Sequence, residues 1–166
     1  MQLSSDQLLK DWYLRLRFVQ FAHYESAKAF EHLNYWIGIP TVFSSAFVGT
    51  SVFASLGKSV DTKFQIVVGL VSILTAVLSS LQTFLRFSER AEKHRIAAAR
   101  SGALRRELEE ILIMGETITK EITTCLRKEI NRLSEEAPHI PARIWSRRKE
   151  VLEEDKKNSV GFFNSP

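Results

Sequence analysis

Five small or hydroxyl-bearing residues, Gly69, Ser72, Ala76, Ser79 and Thr83, recur at alternating spacings of three and four within an uncharged stretch, residues 64–85. On a helix that spacing draws one stripe down one face. The same interval carried onward reaches Arg86, Arg90 and Lys93, so a weakly polar stripe runs into a basic one. Two kinds of physical chemistry use such a stripe. Several copies can line a water path with it, the basic side chains ringing the cytoplasmic mouth and setting the ion concentration there. The same small residues equally let a neighbouring helix pack dry, with Arg86 and Arg90 reaching to lipid headgroups. Both readings stand on the sequence alone.

Covalent chemistry has less to work with. There is no glycine-rich phosphate loop, no Cys/His spacing of a metal site and no nucleophile elbow. His23, His32, His94 and His139 lie far apart in the chain and are expected to form no pair at ligand spacing. Glu89, Glu92 and His94 read as partners of Arg90, Lys93 and Arg95 within one helix. The expectation is therefore a protein without enzymatic activity, cofactor or resident metal. Cys125, the single cysteine, sits at an apolar position of a helical pattern and is expected to be packed. Residues 86–106 carry seven positive charges, but interleaved glutamates dilute them, and a position just past a membrane span accounts for the charge without direct nucleic-acid binding.

The elements that must hold the stripe follow from patterning. The sequence predicts an all-α fold, with few glycines and no strand-like alternation. Residues 1–32 read as a cytoplasmic amphipathic helix capped by Ser4 or Ser5, with Leu9, Trp12, Leu16, Val19 and Phe30 on a face that needs a partner, a later helix in the first instance or else the membrane surface. Residues 33–57 form a second uncharged block and a first span. Tyr35 and Trp36 stand at headgroup level, and Pro40 predicts a kink or a late start. Ser45 with Gly49, and Ala46 with Thr50, form small-xxx-small pairs. Residues 58–63 are too few for anything but a tight outer loop, so 64–85, at ~1.5 Å rise per residue, returns as a second span of roughly 30 Å.

Basic residues crowd both flanks of this hairpin, and the positive-inside tendency places both termini in the cytoplasm. No secretory signal is visible at the N-terminus, so the chain is expected to reach the membrane through its own spans. Residues 86–137 are expected to continue the second span without a break at Arg86. The pattern Leu104, Leu108, Ile111, Gly115, Ile118, Ile122, Cys125 draws a coiled-coil-like seam, with Gly115 a place where one helix can give way to another. Pro138 and Pro141 close the regular structure, and 138–166 is a charged tail with a short helix expected over 142–157. Small residues in both spans predict a homo-oligomer in membrane lipid.

Two spans in an N-terminal hairpin, followed by Phe87-x2-Arg90-Ala91-x2-His94-Arg95-x-Ala97-Ala98-x3-Gly102-x-Leu104-x2-Glu107-Leu108-Glu109, resemble the SLATT domains, the layout extending over roughly residues 6 to 135. Ser101 stands where an aromatic residue is expected. The resemblance implies a SLATT-like domain over 1–137 and a pore-forming effector of bacterial anti-phage, abortive-infection systems. Such an effector would permeabilise or depolarise the bacterial inner membrane when triggered. It also implies a partner in a defence operon, either a nucleotide-second-messenger synthase (or its nucleotide product) or a reverse transcriptase. The alternative is a membrane-anchored helical adaptor that holds a partner enzyme without conducting.

Overall fold

A computed structural model describes residues 5–57, 60–114, 119–147 and 149. Ser4, Lys58, Ser59, Gly115, Ile118 and most of the expected helix over 142–157, with the tail after it, lie outside the described residues; 142–147 are helical. The four long elements are α1 (Ser5–Ser55), α2 (Thr62–Leu85), α3 (Phe87–Met114) and α4 (Lys120–Glu136), and no strand occurs among the described residues. The chain divides into two compact units, Met1–Lys28 with Arg90–Pro166, and Ala29–Glu89.

In the unit built from Met1–Lys28 and Arg90–Pro166, the amphipathic face of α1 buries as its spacing predicts. Leu9 and Leu16 form a core with Leu108 of α3 and Leu126 and Leu133 of α4, flanked by Trp12, Tyr13, Leu104, Ile111, Ile122 and Ile130. Thr119 caps α4 by accepting from the Ile122 N–H at 3.4 Å, and α4 ends at Ala137, whose N–H donates to Leu133 O just before Pro138. Beyond it, Trp145 meets the buried Phe18 ring edge-on, 4.8 Å between centroids. The expected seam holds on α3 and at Ile122 but not at Cys125, which is exposed. The inward position belongs to Leu126. As the glycine at 115 allows, α3 ends at Met114 and α4 starts afresh at Lys120, so the 3/4 spacing does not carry across to Cys125.

In the unit Ala29–Glu89, the second part of α1 and α2 form an antiparallel hairpin. The helix runs through Pro40 rather than starting after it, because one lost N–H costs one rung of a ladder that the neighbouring turns continue. Gly57, at φ 77°, takes the left-handed conformation after the last turn of α1, and Asp61 caps α2 by accepting from the Lys63 N–H at 3.1 Å. The expected uninterrupted passage from the second span into the basic helix is corrected at one residue. Arg86 adopts a left-handed conformation, φ 46° and ψ 45°, its N–H donating to Gln82 O, and α3 begins anew at Phe87. A non-glycine residue held there costs about 1–2 kcal/mol, and neither alanine content nor the absence of proline reveals it.

Candidate functional site

Half-buried and buried positions show which faces of the hairpin meet. Along 34–55 of α1 they are Asn34, Ile37, Gly38, Thr41, Ser44, Val48, Gly49, Ser51 and Ser55; on α2 they are Val68, Val71, Ser72, Thr75, Leu78, Gln82 and Leu85. The interior of the hairpin is thus rich in hydroxyls and amides. Gln82 Nε2 donates to Asn34 Oδ1 at 3.4 Å, and a Cβ on Gly38 would lie 3.1 Å from the same amide nitrogen, which is why a glycine allows the approach. The hydroxyls of Thr41, Ser72, Thr75 and Thr83 donate to carbonyls one turn back in their own helix at 2.7–3.0 Å. Their donors are therefore satisfied locally, while an oxygen lone pair remains available to water, a cation or a second helix.

The stripe singled out from spacing is divided by this packing. Ser72 is half-buried, whereas Gly69, Ala76, Ser79 and Thr83 are exposed on the single chain. Nothing lies within 4 Å of a Cβ built on Gly69 or on Gly49. Around them the large apolar side chains point outward, with Phe43 72%, Phe53 77% and Phe84 82% exposed. Arg86 is exposed and reaches Glu89 at 3.4 Å; Arg90 and Lys93 are exposed as well.

A second constellation escaped the sequence reading. His23 and His94, 71 residues apart, are each 2% exposed and hydrogen-bonded Nδ1 to Nδ1 at 2.9 Å. No ligand spacing along the chain marks this pair; the fold makes it. A signal for it exists in the heptads. Leu9, Leu16, His23 and Phe30 are spaced by seven, as are Phe87, His94, Ser101 and Leu108. Folding the second series back on the first pairs Leu9 with Leu108, both fully buried in one core, and Phe30 with Phe87, whose rings stack at 6.4 Å. His23 and His94 fall on one layer by the same count. The layer is lined by small residues, with Ala22, Ser26 and Ala27 on α1 and Ala91, Ala97, Ala98 and Ser101 on α3 all buried. Ser101, at the position where an aromatic ring is expected, is fully buried.

Burial pushes His23 down to about 4, with the charge of His94 adding to the effect, and burial lowers His94 too. Near neutral pH both rings are uncharged. One must then donate from Nδ1 while the other accepts there, so the two hold opposite tautomers. Ser26 and Ser101 donate to Ala22 O and Ala97 O, both at 2.8 Å, so neither hydroxyl proton competes for the rings. Among the described residues no three His, Cys, Asp or Glu side chains converge as metal ligands.

Two helices are long and apolar enough to cross a membrane, with almost none of their apolar windows buried, and they fit a two-span hairpin. The chain belongs to the SMODS and SLOG-associating 2TM effector domain family 4, whose model matches residues 6–157. Comparison with curated proteins and with solved structures finds no match.

Proposed function

We propose that this two-span effector acts by assembling into a regulated pore in the bacterial inner membrane, as part of an anti-phage, abortive-infection response, and catalyses no reaction itself. The observation that carries this reading is the exposure of Gly69, Ala76, Ser79 and Thr83 on a face of α2 other than the one its own hairpin uses. A single hairpin encloses no path, so a second copy must supply the rest of the wall. Small residues permit the close approach, and hydroxyl lone pairs offer polar lining. Arg86, Arg90 and Lys93 follow the stripe and would ring its cytoplasmic mouth, with both termini on that side and the 58–63 loop outside. The family's association with SMODS and SLOG supports a trigger from a partner enzyme of a defence operon, such as a nucleotide-second-messenger synthase or its product, or a reverse transcriptase.

The test is ion flux from liposomes carrying matched amounts of assembled wild type, Ala76→Trp and Arg86→Glu/Arg90→Glu. The pore reading expects Ala76→Trp to block flux and the charge reversal to move selectivity toward cations. Equal flux and reversal potential in all three would remove the stripe from the pore. Absence of flux under any trigger would favour the adaptor. A reporter at Ser59 outside and reporters at both ends inside are the matching topology result; termini on opposite faces would exclude it.

A further inference from the structure

We propose that the His23–His94 layer is an acid-released latch between α1 and α3. Uncharged, it is a hydrogen-bonded layer closed by small residues; with both rings protonated, it cannot stay closed. The hydrogen bond needs one Nδ1–H and one bare Nδ1. A first proton fits only if it is carried at the far nitrogen of the donor ring, and a second places two N–H groups head to head across 2.9 Å. Both rings are 2% exposed, so neither charge has water to relax it.

Burial is the cause that lowers His94, and burial followed by the charge of His94 the causes that lower His23. Glu25 and Lys28 on α1, and Arg90, Glu92, Lys93 and Arg95 on α3, are the nearest charged residues in sequence to the two rings, and Glu92 is engaged by Arg95 at 2.8 Å. On α4, Glu136 is held by Arg132 and Arg100. Among the described residues the only charge that shifts His23 is that of His94.

The direction follows from linkage. Both histidines bind protons less readily in the closed layer than in an opened one, where the ordinary value near 6.5 applies. Closure is therefore at full strength above that value and weakens as pH falls toward about 4. For His23 alone the opening equilibrium gains roughly tens-fold between pH 6.5 and 4.5. His23 shares α1 with the first span, and His94 follows the second span along the chain. That acid opening also changes conduction rests on the pore reading above; the opening itself does not.

The experiment uses the full chain in nanodiscs of zwitterionic lipid. On a Cys125→Ser background, nitroxides at the exposed Lys28→Cys and Glu92→Cys positions report the α1–α3 distance, with labelled chains diluted in unlabelled ones. Between pH 7.5 and 4.5 the wild-type pair should move reversibly to longer, broader distances, and His23→Gln/His94→Gln should show no such change. An unchanged wild-type distance at pH 4.5, or an equal change in the glutamine variant, overturns the latch. Should that variant fail to fold, imidazole NMR on the wild type decides. Protonation that lags well below pH 6.5 and coincides with the distance change supports the latch, and titration near 6.5 without opening overturns it. Liposome flux measured alongside separates the two readings: opening without flux leaves the latch standing and counts against the pore.

Discussion

The two units of this chain turn opposite faces to their surroundings. Around Leu9, Leu108 and Leu126 the apolar side chains are inside, and the charged ones, among them Arg95, Arg100 and Glu136, are outside. In Ala29–Glu89 the order is reversed. The buried polar residues Thr41 and Ser51 lie on the hairpin's inner face, and Phe43, Phe53, Ile73 and Phe84 point outward. The difference teaches what each unit takes as solvent. Water rewards removal of apolar area at ~25 cal/mol per Å², so the first unit collapses on leucine. Lipid chains are as apolar as leucine and reward no such burial, so two spans associate through small residues, hydroxyls and an amide pair.

That contrast can be broken by substitution, beginning with the largest effect. Leu108→Ala or Leu9→Ala, at fully buried sites, should lower unfolding stability by about 2–5 kcal/mol. Phe43→Ala in the hairpin should cost far less, because that ring meets lipid whether or not the helices associate. Thermal unfolding followed by circular dichroism in lipid measures both, and equal losses would erase the distinction between the units.

A lysine sharpens the comparison from the other side. Ile73→Lys, on an exposed face of α2, should impose about 2.5–3.5 kcal/mol on insertion and reduce the membrane-integrated fraction after alkaline extraction. Ile113→Lys, on α3 and 78% exposed, should change stability by less than about 0.5 kcal/mol. Equal tolerance at the two positions would show that exposure means the same thing in both units.

Smaller still is the amide contact inside the hairpin. Gln82→Leu removes the donor to Asn34 and should weaken span–span association by about 0.6 kcal/mol, the usual worth of such a bond in lipid. A loss of several kcal/mol in a detergent unfolding titration would mean that the polar interior, rather than close approach, holds the hairpin. Arg132→Gln should produce the least change of all. Its partner Glu136 is held at the surface by Arg100 as well, and exposed ion pairs are screened by water and salt. An unfolding midpoint that shifts clearly would make this network part of the fold.

Much of this was legible in the residues themselves. Periodicity, charge exclusion and a short loop are properties of one segment at a time, and they determined the helices, the two apolar blocks, the amphipathic face of α1 and the family resemblance. Extrapolation failed where a segment's neighbours decide. Cys125 lost its place because the register restarts at α4, and Arg86 breaks the helix without a glycine or proline to announce it. On α2 the stripe Ser72, Thr75, Leu78, Gln82 and the stripe Gly69, Ala76, Ser79, Thr83 have matching periods. Which of them meets α1 depends on helix rotation, set by how Gln82 fits over Gly38 and against Asn34. The histidine layer is the clearest case. Each heptad places its histidine on an inward face, but only the antiparallel pairing of α1 with α3 brings two Nδ1 atoms within 2.9 Å, and burial in that shared layer, a property of neither helix alone, keeps both rings uncharged.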